Sequence, residues 1–126
     1  MLKKTILILT IVAANCFANS IIATITNKTN QEVSLQSQTS TATIGENKIS
    51  SNTTKDIVIN FQTFATPRAN ITINNSNTGI TQRQLLIVLN GAFNISNVVC
   101  VPISSCKPGN PLLNSDHKSF YFTLKN

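Results

Sequence analysis

The sequence predicts an all-β fold, a single-domain antiparallel β-sandwich of about seven or eight strands, and three observations predict it. Apolar residues recur at every second position in several short segments, the period of a strand with one face in a core. Asn, Thr, Ser and Gln fill most positions between them, with almost no Ala-Glu-Lys-Leu run that would favour a helix. Turn residues interrupt the pattern every ~8–15 residues with no helical stretch between, as in sandwiches and small barrels.

Ile21, Ala23 and Ile25 alternate with polar positions, Asn27-Lys28-Thr29-Asn30 reads as a turn, and Val33 and Leu35 resume the period. A first hairpin is therefore expected there. Ala42 and Ile44 mark a short strand ending at Gly45, and Ile57, Ile59 and Phe61 a longer one with Asn60 and Gln62 on its other face. Asn70 to Asn74 repeats the alternation. Leu85 to Leu89, LLIVL, is apolar at every position, so it is expected to be a strand covered on both faces. Asn90-Gly91 follows it directly and Ala92-Phe93-Asn94-Ile95 comes next, the pattern of a tight hairpin whose turn residues accept positive φ. Phe120, Phe122 and Leu124 point one way and Ser119, Tyr121 and Thr123 the other in a C-terminal strand. The inward set includes Ile44 and Phe93 and is large enough to fill the space between two sheets. Immunoglobulin-like and jelly-roll-like topologies both stay open: the inter-sheet cysteines of true immunoglobulin domains are missing, and the chain has no Trp.

Residues 1–18 read as a cleaved signal peptide. Lys3 and Lys4 precede the apolar run Thr5 to Ala14, which is too short to span a bilayer, since spanning takes ~20 residues. Cys16 and Ala18 then place small residues at −3 and −1 of a cut before Asn19. The rival reading is a lipoprotein with Cys16 lipidated, although bulky Asn15 fits poorly before such a cysteine. Cleavage leaves residues 19–126 as one domain, exported to the periplasm or secreted and without a transmembrane segment. That domain carries eight Lys/Arg against four Asp/Glu. The cations are scattered and have no aromatic platform beside them, so nucleic acid is not an expected partner.

Cleavage also discards Cys16 and leaves Cys100 and Cys106, an even pair in an oxidising compartment. A disulfide between them is expected to pin a loop; on the loop-closure model it is worth about 2–3 kcal/mol. Five intervening residues are wrong for a redox C-x-x-C, and His117 alone cannot complete a metal site. No cofactor is expected.

Chemistry-bearing residues are few. Asp116 and His117 are adjacent but lack a nucleophile signature, and read as a turn cap before the last strand. Glu32, Glu46, Asp56 and Asp116 are the only acids available for paired-carboxylate hydrolysis, and the four glycines all sit in turn contexts rather than in a phosphate loop. Five N-x-S/T triplets begin at Asn27, Asn52, Asn70, Asn74 and Asn94. With sixteen asparagines in residues 19–126, chance produces about four such triplets, and the dilysine leader is of bacterial type.

The expected function is therefore non-enzymatic: an exported bacterial binding module for an envelope or extracellular protein or glycan. Its sheet face or the loops Asn74 to Gly79 and Cys100 to Pro111 would make the contact. Tyr121 is the sole aromatic available to a glycan platform. One alternative is a subunit of a surface assembly that adds strands edge to edge. Against it, no Gln/Asn repeat of fixed period occurs, and alternation begins at Ile21 with no donor segment ahead of it. A small secreted hydrolase is the second alternative.

Overall fold

A computed structural model describes residues 19–62, 68–90, 94–102, 106 and 111–125. Among them lie ten strands: β1 (Ser20–Asn27), β2 (Val33–Ser37), β3 (Ala42–Ile44), β4 (Lys48–Ile49), β5 (Thr53–Phe61), β6 (Arg68–Asn75), β7 (Thr81–Leu89), β8 (Ile95–Val101), β9 (Leu112–Leu113) and β10 (Ser119–Leu124). They form two five-stranded sheets around one core. Sheet A runs β3-β5-β1-β10-β9 and sheet B runs β4-β2-β6-β7-β8. Every pairing is antiparallel except that of β1 with β10.

Period-two alternation explains the layering. In β1, Ile21, Ala23 and Ile25 are buried while Ile22, Thr24 and Thr26 face outward; in β10, Phe120, Phe122 and Leu124 are buried while Tyr121 is exposed. A strand that hides one face from water and hydrates the other needs such a sequence. Of the inward set, Ile44 packs only at the core margin, and Phe93 lies outside the described residues. Ile49, Ala69 and Ile95 join the core as well.

Three features differ from the sequence expectation. β1 and β2 are not a hairpin: they belong to different sheets, and the segment between them crosses the end of the sandwich. The reason is Asn27, fully buried, whose side chain gathers the crossing segment. Its Nδ2 donates to the carbonyls of Gln31 (2.8 Å) and Ile49 (3.1 Å), and its Oδ1 accepts from the Thr29 N–H (3.0 Å) and hydroxyl (2.6 Å). Strands number ten rather than seven or eight, because β4 and β9, at two residues each, are too short to show any period.

The third difference is at β7. Leu85, Ile87 and Leu89 are buried, but Leu86 is 37% exposed and Val88 only half-buried, so the outer face of this strand is not covered by the described residues. β7 and β8 do pair as a hairpin, with an irregularity at Val88/Leu89. The loop is longer than Asn-Gly alone requires: β8 starts at Ile95 rather than Ala92. Asn90 closes the loop by donating its N–H to Asn94 O (2.9 Å) and accepting the Asn94 N–H on Oδ1 (3.1 Å). Gly91 lies outside the described residues.

Candidate functional site

The outer faces of the two sheets meet the surroundings, and among the described residues sheet A carries most of the exposed large apolar side chains. Cross-strand register aligns Asp56 (β5), Thr24 (β1), Tyr121 (β10) and Leu112 (β9) in one row. At a strand spacing of ~4.8 Å the row is about 14 Å long. On one side of it runs the row Val58, Ile22, Ser119; on the other, Thr54, Thr26, Thr123. Leu112 is 68% exposed, Tyr121 52% and Ile22 39%, the three forming an apolar patch in a field of hydroxyls.

Hydrogen bonds hold the polar side of this field in place. Thr24 Oγ1 donates to Asp56 Oδ1 (2.7 Å), and Thr26 and Thr54 share a hydroxyl hydrogen bond (2.8 Å). The carboxylate is thus oriented from within the sheet, and Asp56 is the only charge in the three rows. A flat, nearly neutral surface with one ring and preset hydroxyls can stack against a sugar or an apolar side chain and hydrogen-bond around it.

The residues singled out for chemistry are dispersed. Asp116 Oδ1 accepts the Lys118 N–H (2.9 Å) and the Ser119 hydroxyl (3.3 Å), while His117, at φ 58°, places Nδ1 3.2 Å from Ile95 O and accepts the Ile95 N–H on its own carbonyl (2.7 Å). Together they build the turn into β10 and tie it to β8. Ser119 thus faces the carboxylate rather than the imidazole. Glu46, between β3 and β4, pairs with Lys55 Nζ (2.6 Å) rather than with another acid. Among the described residues no group of three His, Cys, Asp or Glu side chains is placed to hold a metal ion.

Cys100, on β8, and Cys106 are disulfide-bonded with Cα atoms 6.1 Å apart, and both are buried. Most of the rest of the Cys100 to Pro111 loop lies outside the described residues. The Asn74 to Gly79 loop is held by Asn75, whose Oδ1 accepts the N–H groups of Asn77 (2.9 Å) and Thr78 (3.1 Å) and whose amide bonds Gln31. Gly79 closes that turn at φ 72°, a conformation that favours glycine. Of the N-x-S/T asparagines, the fold buries Asn27 and Asn74.

The sequence had named Tyr121 but not its setting. Ile22, Thr24 and Leu112 become its neighbours only through the β1·β10 and β10·β9 pairings, which no local signal announces. Fold and site together define a β-sandwich with one exposed aromatic and hydroxyl-lined sheet face. No protein-family model matches the chain, and neither a characterised protein nor a solved structure is similar enough to count as a match. Among the described residues no helix is long and apolar enough to cross a membrane.

Proposed function

We propose that this chain is an exported, non-enzymatic binding module that engages a protein or glycan through the outer face of sheet A. The observation that carries the reading is the patch of Tyr121, Leu112 and Ile22, exposed yet contiguous on a pleated surface whose hydroxyls are already oriented. A large aromatic ordinarily loses free energy by standing in water, and its exposure beside two aliphatic side chains supports reading this face as the contact surface.

Tyr121 is also the only Tyr, and there is no Trp, so intrinsic emission reports on this face directly. Screening the mature chain on arrays of glycans and purified envelope proteins is expected to return a ligand that changes Tyr emission saturably. Tyr121→Ala and Leu112→Ser should each weaken it at least about tenfold, as for central contact residues. Ligands that bind both variants as tightly as the parent would remove the face from consideration, and the absence of any ligand would remove the module.

Export is the second part of the proposal and is supported by the leader pattern and by the Cys100–Cys106 bond. Intact mass of natively produced protein is expected to lack residues 1–18 and both thiol hydrogens. A chain that keeps Met1 and two free thiols would defeat it.

A further inference from the structure

The outer face of sheet B holds a different feature. A cavity of about 240 Å³ opens there between β6, β7 and the segment after β2, lined by Thr39, Arg68, Ala69, Asn70, Leu86 and Val88, with Ile87 behind them. At ~30 Å³ per liquid water it has the volume of about eight waters, or of an organic molecule of similar heavy-atom count. Its wall is the side of β7 that the run LLIVL makes apolar and that no described residue covers. Leu86 continues across to its β8 partner Val99, which is also half-buried.

The polar groups at this cavity are all able to donate. Arg68 is exposed, and among the described residues it forms no ion pair with Glu32, Glu46, Asp56 or Asp116. Thr39 Oγ1 already accepts the Asn70 N–H (3.0 Å), which leaves its own O–H to give. Asn70 Oδ1 is buried and accepts no hydrogen bond, while the Nδ2 of the same amide remains a donor without any rotation. Donors converge beside an apolar wall, and a guanidinium without an acid is the complement of an anion.

We propose that this cavity binds a small organic monocarboxylate, its acidic head held by Arg68 and its short apolar body laid along Leu86 and Val88. The site is on the opposite sheet from Tyr121 and acts independently of that face.

Titration of the ¹⁵N-labelled mature chain with hexanoate, followed by amide chemical shifts, tests it. Saturable shifts are expected at Asn70, Leu86 and Val88. Arg68→Gln should weaken binding about tenfold or more, the usual loss of a hydrogen bond to a charged group, and Leu86→Asn should weaken it while keeping the guanidinium. Tyr121→Ala should leave it unchanged. Equal affinity for 1-hexanol would show that the charge plays no part, and equal affinity for acetate that the apolar wall plays none. Either result, an unaffected Arg68→Gln variant, or no saturable shift at these residues overturns the proposal.

Discussion

Phe120→Ala is expected to lower the unfolding free energy by about 3–5 kcal/mol, the range for removing a buried aromatic ring. Phe120 is fully buried. It stands on β10 between two bonded neighbours, opposite Ala23 of β1 and Leu113 of β9. With strands on both sides, β10 cannot slide inward to close the space, and Ala23 is too small to lean into it. The void therefore persists, and its lining loses contacts that nothing replaces. Because domains of this size are stable by roughly 5–15 kcal/mol, the loss is a large share of the total.

Urea denaturation with the disulfide intact measures it, and Tyr121→Ala is the control. That residue is the next along the same strand but stands on the outer face, so its replacement should shift stability by no more than about 0.5 kcal/mol. A Phe120→Ala loss below about 1 kcal/mol would contradict the packing described. The control also matters for function: a Tyr121→Ala variant that stays folded lets any lost binding be assigned to the surface.

Asn27→Ala should be the next most damaging change. Asn27 is fully buried and serves four partners: two carbonyls on its amide nitrogen, and an N–H and a hydroxyl on its oxygen. Alanine leaves the Ile49 carbonyl and the Thr29 N–H without those partners; the Thr29 hydroxyl can turn its single hydrogen to Gln31 O (2.9 Å). A buried polar group left unpaired costs about 1–3 kcal/mol, so a total near 3 kcal/mol is expected. Asn27→Asp separates polar satisfaction from simple volume. It has almost the same shape and keeps an acceptor for Thr29, but it turns the donor into an acceptor facing two carbonyl oxygens, so it should not recover the parental stability. Recovery of parental stability by Asp in the same urea titration would mean that the amide donor is not what holds the crossing.

These two residues also show what was legible in the sequence. Phe120 was readable, because its burial follows from a two-residue period over six residues, Ser119 to Leu124. Asn27 was read as part of a turn, and it does end a strand; that the turn crosses between sheets was not readable. A period of two reports which side of a strand leaves water, and it is silent on which strand supplies the neighbouring hydrogen bonds. Hence β1 was recognised but its partners were not: it pairs antiparallel with β5 and parallel with β10, nearly a whole domain away in the chain. The same limit hid the candidate face. Tyr121 was visibly on the outer side, whereas Leu112 belongs to a two-residue strand with no period to detect.

By itself, the sequence determined the all-β class, the inward faces of β1, β2, β5 and β10, the β7 to β8 hairpin and the scarcity of catalytic groups, since all of these follow from local alternation, turn chemistry and residue counts. Tertiary structure alone decided the order of strands in each sheet, the sheet-crossing at Asn27, the row that brings Asp56, Thr24, Tyr121 and Leu112 together, and the uncovered side of Leu86. Those depend on contacts between distant segments, which are selected by how two sheets fill one core and not by any residue's near neighbours.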